Sequence, residues 1–231
     1  MGEKKQKEKT VAQWKKIIVV GACVLFVVLM IVSGMGSSWI SAFAVAKPGD
    51  VAVIDYTLYD AVGNPIVTTD QTLFKQVATQ GKFVLFSKQI SVISNQSLAH
   101  AFFPVQVYST SSGWANQFAL FRPEYDAMSS GLVGMKVNEQ KRINIPSSTS
   151  MTQLWTPELL MRNGVNLSDL NVGDIIPMGV GDNPEEMASN KSSMTYMRVG
   201  EVSRKTPEGA LVDFGYPSAD IRVVSINNKN N

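Results

Sequence analysis

The stretch Gly131-Leu-Val-Gly-Met-Lys-Val-Asn-Glu-Gln-Lys-Arg-Ile-Asn-Ile-Pro146 decides the fold prediction for this chain. Leu132 and Val133 are typical of the end of a short helix, and the residues from Gly134 to Glu139 are typical of a turn. Ile143 and Ile145 then alternate with polar neighbours, and a period of two is the pattern of a half-buried strand. The segment therefore predicts a helix, a turn and a strand in that order.

A β-hairpin is predicted further toward the N-terminus. Lys47–Asp50 has the composition of a turn, and Val51–Asp60 predicts a strand in which the alternate residues from Ala52 to Leu58 share one face. A turn signal from Ala61 to Pro65 and the β-rich run Ile66–Thr69 complete the hairpin.

These two segments, in this order, resemble the FKBP family of peptidyl-prolyl isomerases. Its members carry a similar Gly-Leu-x-Gly-Met-Lys-x-Gly-Glu-Lys-Arg run that ends in Ile-Pro. They also begin with a Pro-Gly-Asp turn, a strand with a Tyr-Thr pair, a turn and a second strand.

The second half of the chain resembles the long, SlyD-like members of the family, in which a β-rich insert-in-flap domain interrupts the isomerase domain before its last strand. The segments that carry this resemblance are Val172-Gly-Asp174, Val199-Gly-Glu-Val202 and Val212-Asp-Phe-Gly-Tyr-Pro217. The resemblance implies an α+β fold: an FKBP-like antiparallel, curved β-sheet wrapping a short helix, with a β-rich insert-in-flap domain.

The N-terminal region differs from the rest in charge and hydropathy. The first sixteen residues hold six lysines and two glutamates, a net charge of +4, whereas the whole chain carries +2. The nineteen residues from Ile17 to Met35 have no charge. Together with the uncharged residues that follow, they are long enough to cross a bilayer core of about 30 Å, and the lysines before them favour a cytoplasmic N-terminus.

The sequence thus predicts a single-pass protein of the cell membrane, with a signal anchor at 17–38 and an extracytoplasmic part from Lys47 onward. A cleaved secretory signal is an alternative, because Ala42-Phe-Ala44 and Ala44-Val-Ala46 are small-x-small sites. A lipoprotein attached through Cys23, the only cysteine, is a further alternative.

The predicted organisation follows from these segments. In chain order it comprises a cytoplasmic basic tail (1–16), a transmembrane helix (17–38), a juxtamembrane linker (39–48), an FKBP-like domain (49–150) with an enlarged insertion at about 71–122, an insert-in-flap-like β domain (151–217), the last strand of the FKBP-like domain (218–227) and a polar tail (228–231). Inside the insertion, Gln89–Ile93 and Phe102–Tyr108 are β-rich, which predicts an added subdomain or flap. Thr156 followed by Pro157 predicts the start of a helix.

Composition argues against several other chemistries. His100 is the only histidine, so few residues are available to build a zinc site or a Ser-His-Asp triad. The acidic residues from Asp182 to Glu186 lack the spacing of an EF-hand. Beyond the tail no basic patch is present for nucleic acid. We expect no metal, no cofactor and no nucleic-acid partner.

Rotation about an X-Pro bond needs no acid, base or metal. Its barrier of about 18–20 kcal/mol comes from amide resonance, and a desolvating pocket that favours the twisted amide lowers it. The FKBP resemblance implies a substrate pocket at six positions: Tyr56, Ile66, Val67, Met128, Ile145 and Ala219. Tyr56 keeps the family's first aromatic wall, whereas most of the other family aromatics are replaced, and the Ala-Tyr-Gly flap signature is absent after Pro146.

The resemblance implies a membrane-anchored, extracytoplasmic peptidyl-prolyl cis-trans isomerase and folding chaperone for exported proteins. Its partners would be proline-containing unfolded or exported polypeptides, and the lipid bilayer through 17–38. Because the pocket is substituted, the alternative is a catalytically weak or inactive FKBP-like accessory subunit or assembly factor of a membrane complex. An adhesion-like surface β domain is a third hypothesis, which predicts two sandwich sheets and no central helix.

Overall fold

The computed structural model describes residues 18–31, 33, 44–109, 113–146, 151–181 and 196–227. It contains two compact units, Met1–Phe43 and Ala44–Asn231. The predictions for the basic tail (1–16), the start of the linker, the acidic residues Asp182–Glu186 and the polar tail (228–231) lie outside the described residues.

In the N-terminal unit, the described residues 18–31 and 33 are helical. Among the residues described, no helix is both long and apolar enough to span a membrane. The predicted transmembrane helix at 17–38, and the single-pass location that depended on it, are therefore wrong. The described helical residues are fewer than the roughly 20 needed for a bilayer core of about 30 Å.

In the described part of the second unit, twelve strands join into one mixed sheet. The strands are β1 (Val51–Tyr59), β2 (Pro65–Thr68), β3 (Leu85–Ser87), β4 (Ile90–Ile93), β5 (Phe102–Ser109), β6 (Gly113–Phe121), β7 (Gln140–Asn144), β8 (Thr152–Trp155), β9 (Ile175–Val180), β10 (Tyr196–Thr206), β11 (Gly209–Asp213) and β12 (Ser218–Asn227). The helices are α1 (Gln71–Thr79), α2 (Arg122–Gly131) and α3 (Pro157–Arg162), with a 3-10 turn at Leu167–Asp169. The strand order is β7-β12-β1-β2-β3-β5-β6-β10-β11-β8, while β4 pairs with β1 and β9 pairs with β10.

This architecture corrects the predicted fold class. The sequence predicted a transmembrane helix followed by a small antiparallel sheet around a short helix, with a separate β insert. The described strands instead form one large mixed sheet with few helices. The difference arises in the segment 71–122, because β3, β5 and β6 extend the sheet outward from β2, and β6 then meets β10. The hypothesis of an adhesion-like surface β domain requires two sandwich sheets and no central helix. It does not agree with the structure either, because the described strands form one sheet and α2 packs against β4 and β7.

The first lobe, which comprises β1–β7, β12, α1 and α2, is built around β1. Alternation along β1 puts the side chains from Ala52 to Leu58 at even positions in the core. β12 pairs with β1 from Val51–Asn227 to Tyr59–Ser218, and β7 pairs with the other edge of β12. The chain therefore returns to the first lobe for its last strand.

The segment Gly131–Pro146 has the predicted order of elements. α2 ends at Gly131, Gly134 has the positive φ of a turn (+83°), and β7 begins at Gln140. Ile143 and Ile145 are both buried in the core of the first lobe. The helix, turn and strand predicted for this segment are confirmed.

The second lobe comprises β8–β11 and α3 and has a separate hydrophobic cluster. The buried members of this cluster are Trp155, Leu160, Leu170, Ile176, Val202, Ala210, Val212 and Phe214. α3 begins as predicted, because Thr156 Oγ1 accepts a hydrogen bond from the Leu159 N–H at 3.4 Å and Pro157 stands in the first turn.

The two lobes meet where β6 lies beside β10. Among the residues that the structure describes, a single parallel bridge joins these two strands, between Phe118 and Met197. The adjacent residue, Arg198, is fully buried and reaches back to Glu124 on α2. The junction therefore combines little backbone pairing with a buried ion pair.

Candidate functional site

The six predicted pocket residues come together in one core cluster of the first lobe. They are Tyr56 on β1, Ile66 and Val67 on β2, Met128 on α2, Ile145 after β7 and Ala219 on β12. Their side chains are only 0–3% exposed. Residues at such burial pack against one another and leave no surface for a substrate. The six residues thus belong to the hydrophobic core of the first lobe.

Tyr56, the predicted aromatic wall, is fixed by a hydrogen bond. Its hydroxyl lies 2.6 Å from Ser87 Oγ on β3. Burial raises the pKa of Tyr56, and the hydrogen bond to Ser87 lowers it by less. The tyrosine therefore stays neutral and ties β1 to β3.

Arg198 and Glu124 fill the space between the first-lobe core and β10. The Arg198 guanidinium donates to both carboxylate oxygens of Glu124, to the Ala119 carbonyl at 3.0 Å and to the Phe214 carbonyl at 2.6 Å. It also lies 3.9 Å from the centroid of the Tyr216 ring. Burial would lower the pKa of Arg198, but the charge and hydrogen bonds of Glu124, together with smaller contributions from Tyr216 and Asp213, raise it overall. The guanidinium is therefore held charged, with acceptors on several sides.

An open groove lies on the other face of β1. Asp55 and Thr57 alternate with the core residues, so their side chains are on the face away from the core. A cavity of about 370 Å³ on this face is bordered by β1, by the β12 residues Asp220 and Arg222, and by the start of α1. A second cavity of about 490 Å³ shares Asp55 and Thr69 with the first. We call the two adjoining cavities the outer groove.

Two cross-strand ion pairs form the β7–β12–β1 side of the outer groove. Arg222 Nη2 donates to Asp55 Oδ2 at 2.6 Å, and Arg142 Nε donates to Asp220 Oδ1 at 2.8 Å. The guanidinium of Arg142 also lies 4.5 Å from the centroid of the Tyr59 ring. The carboxylates are neutralised by these pairs, so this wall of the groove is polar but carries little net charge.

The other end of the outer groove is aromatic. Phe74, Phe86, Trp114 and Tyr108 form a continuous series of rings, with centroid distances of 5.4, 5.5 and 5.7 Å between successive members. We call these four residues the aromatic ledge. Trp114 is 43% exposed and Tyr108 is 37% exposed. Lys88 Nζ lies 5.0 Å from the Trp114 centroid, so a cation covers part of the indole.

The outer groove has the chemistry of a binding site. The cavity beside Trp114 is lined by Phe86 and by the polar residues Thr69, Ser87, Lys88 and Gln89. Exposed rings beside polar groups are common in sites that hold a ligand through ring contacts and a few hydrogen bonds. Within the described ranges, no group of three or more His, Cys, Asp or Glu residues is arranged to hold a metal ion.

Sequence reasoning did not find the outer groove. Of the six predicted pocket residues, only Tyr56 is among the residues that line the outer groove, between Asp55 and Thr57 on β1. A usable signal was present, because Phe86 and Trp114 are large aromatic residues in the segment 71–122, where the family resemblance is weakest, and both lie on strands of the sheet.

Comparison with known proteins gives no family for this chain. No protein-family model matches it, and no curated protein matches its sequence.

Proposed function

We propose that the chain is a non-catalytic polypeptide-binding domain that holds an extended, proline-containing segment in the outer groove. The observation that carries this proposal is a contrast in exposure. The six residues implied by the isomerase resemblance are 0–3% exposed, whereas Trp114 of the aromatic ledge is 43% exposed beside a cavity of about 490 Å³.

The aromatic ledge supports an extended, proline-containing partner. Proline-rich segments form a stiff polyproline II helix, and aromatic-lined grooves bind it because little conformational entropy is lost. Trp114 is inclined by 54° to Phe86 and by 61° to Tyr108, so the rings are not stacked face to face, and Trp114 and Tyr108 are partly exposed to solvent. The FKBP resemblance implies the same class of partner.

The polar residues of the groove support recognition of a polypeptide backbone. A polyproline II segment makes no internal hydrogen bonds, so its carbonyl groups need donors from solvent or from a partner. Lys88 is exposed beside Trp114, and Gln89 is exposed and borders the same cavity. Both side chains carry N–H donors.

The closed core argues for binding without isomerisation. Catalysis requires the site to hold the twisted amide more tightly than the planar one, in a pocket that excludes water. The side chains implied for that pocket pack against one another in the core, and the outer groove is open and polar on one side. Neither feature provides a desolvating enclosure around a proline ring.

The test combines a binding measurement with an activity measurement on the full chain. Calorimetric titration with an oligoproline peptide should detect binding, and Trp114→Ala should weaken the affinity by about five- to thirtyfold, since it removes a ring contact of about 1–2 kcal/mol. Met161→Ala is the matched control, because Met161 is an exposed apolar residue on α3, away from the groove. It should leave affinity unchanged.

Three outcomes contradict the proposal. The first is that the wild-type chain does not bind the peptide, and the second is that the wild type and Trp114→Ala bind it with equal affinity. The third is acceleration of cis/trans exchange in a proline tetrapeptide by the wild-type chain, which would favour the isomerase hypothesis.

A further inference from the structure

Lys88 places a positive charge at the aromatic end of the outer groove. It follows β3 directly and borders the cavity of about 490 Å³ together with Ser87 and Gln89. Its side chain is exposed, and its Nζ lies 5.0 Å from the centroid of the Trp114 ring. The charge therefore stands beside the most exposed ring of the aromatic ledge.

The backbone of Lys88 is held on two sides. Its N–H donates to the Gln106 carbonyl on β5 at 3.1 Å, and its own carbonyl lies within hydrogen-bond distance of Ser87 Oγ, at 3.0 Å. These contacts fix the point where the side chain leaves the end of the strand. The ammonium group, on its four-carbon stem, is thus kept near Trp114 and the cavity.

The acidic residue of the same cavity is already paired. Asp55 Oδ2 accepts a hydrogen bond from Arg222 Nη2 at 2.6 Å, and Asp55 Oδ1 accepts one from Gln89 Nε2 at 3.0 Å. Asp55 and Lys88 are the charged residues that line this cavity. Since both carboxylate oxygens of Asp55 are engaged, Asp55 does not balance the charge of Lys88.

The other carboxylates that line the outer groove are engaged as well. Asp220 pairs with Arg142, and Asp70 caps the N-terminus of α1. The ion pairs found among the described residues do not include Lys88. The sequence around the ring, from Ser109 to Gln117, contains no acidic residue. Within the described part of the chain, the Lys88 ammonium thus has a ring beside it but no counter-charge.

We propose that the segment held in the outer groove carries an acidic side chain, aspartate or glutamate, that pairs with Lys88. This inference rests on the proposed function and narrows the class of partner. A carboxylate supplies the counter-charge that Lys88 lacks, and complementary charges across an interface favour the matching ligand over others. Lys88 is then a specificity-determining residue, whereas Trp114 supplies the ring contact.

The geometry sets where the acidic residue stands in the ligand. A polyproline II segment rises about 3.1 Å per residue. Lys88 Nζ lies 5.0 Å from the Trp114 centroid. A carboxylate that meets the ammonium group therefore belongs to a residue about one or two positions from the proline on the ring.

Calorimetric titration of the full chain with three peptides tests this inference. The peptides are oligoprolines with blocked termini that carry glutamate, glutamine or lysine at one internal position. The wild type should bind the glutamate peptide about three- to fivefold more tightly than the glutamine peptide, as expected for an exposed ion pair. The difference should shrink at high salt. Blocked termini exclude a terminal carboxylate as the source of the charge.

Two substitutions at Lys88 separate its charge from a structural role. Lys88→Gln keeps an N–H donor without the charge, so the affinities for the glutamate and glutamine peptides should become equal. Lys88→Glu should prefer the lysine peptide to the glutamate peptide, a reversal that a structural role would not produce. Arg162→Gln is the matched control, because Arg162 is an exposed cation at the end of α3 that lines neither cavity. It should keep the wild-type preference.

The outcomes distinguish this inference from the proposed function. If the wild type binds the glutamate and glutamine peptides equally, the inference is overturned while polypeptide binding stands. If Lys88→Gln keeps the wild-type preference, or Lys88→Glu still prefers the glutamate peptide, the inference is also overturned, because another group selects the carboxylate. If the wild type binds none of the peptides, both the inference and the proposed function are overturned.

Discussion

Arg198 and Glu124 form a bidentate ion pair in which both side chains are completely buried. The two residues lie 74 positions apart in sequence. The pair joins β10 of the second lobe to the first turn of α2, beside the backbone bridge between β6 and β10. The stability of the junction therefore depends on the buried positive charge of Arg198 being balanced by the buried negative charge of Glu124.

Removal of the Glu124 carboxylate should lower the free energy of unfolding substantially. Glu124→Gln leaves the Arg198 guanidinium buried without its counter-charge, and we expect a loss of about 3–5 kcal/mol in the free energy of unfolding. Arg142→Gln is the control. The Arg142 side chain is 57% exposed, so its ion pair with Asp220 should contribute only about 0–1 kcal/mol to the free energy of unfolding. Urea unfolding followed by tryptophan fluorescence measures both. Equal losses in the two variants would contradict a structural role for the buried pair.

Gly200 should tolerate no side chain. A β-carbon at Gly200 would lie 2.6 Å from Phe214 Cδ1 and 2.7 Å from Val212 Cγ1, so β10 and β11 could not keep their packing. We expect Gly200→Ala to lower the free energy of unfolding by about 1–3 kcal/mol. Ser203→Ala, at an exposed position of the same strand, should change it by less than about 0.5 kcal/mol. Thermal unfolding of both variants checks the difference, and a wild-type melting temperature for Gly200→Ala would refute the close contact.

Tyr56 should behave as a core residue. Tyr56→Phe removes the hydroxyl bonded to Ser87, and we expect a loss of about 1 kcal/mol in the free energy of unfolding. Tyr56→Ala should cost about 3–5 kcal/mol because it leaves a cavity. The affinity of the Phe variant for an oligoproline peptide should equal that of the wild type. A Tyr56→Phe variant that is as stable as the wild type but binds the peptide poorly would contradict this account and would indicate that Tyr56 lines the substrate pocket.

Local patterns in the sequence were sufficient for several elements. The alternation in β1, the helix end and strand in Gly131–Pro146, and the Thr156 cap of α3 are each decided by neighbours a few residues apart. Propensity and capping act at that range, so the sequence carries their signal directly.

The closed core and the groove could not be predicted in the same way. They depend on contacts between distant segments: β6 beside β10, Arg198 with Glu124, and Phe86 beside Trp114. Periodicity identifies which residues of a strand share a face but not which segment covers that face. Tyr56 was correctly placed on an apolar face, but the segments that cover this face lie elsewhere in the chain, so their identity could not be predicted from local patterns.

The stability of the chain should depend on Glu201 in a defined pH range. Its pKa is raised from 4.5 to about 7 in the folded protein, so the folded state binds the proton more tightly than the unfolded state. The free energy of unfolding should then fall as the pH rises from about 4.5 to about 7, and the change should be small because Glu201 is partly exposed to solvent. Glu201→Gln should flatten this slope in urea unfolding at a series of pH values. A slope that is unchanged in the variant would assign the effect to other groups.

The most direct test of the proposed function is the location of a bound peptide on the full chain. Backbone NMR shifts recorded during titration with an oligoproline peptide should change at Phe86, Lys88 and Trp114, which line the outer groove. Residues of the closed core, such as Ile66, Met128 and Ile145, should stay unshifted. Shifts concentrated at those core residues, with none at the aromatic ledge, would contradict the proposal and favour a pocket that opens on the inner face.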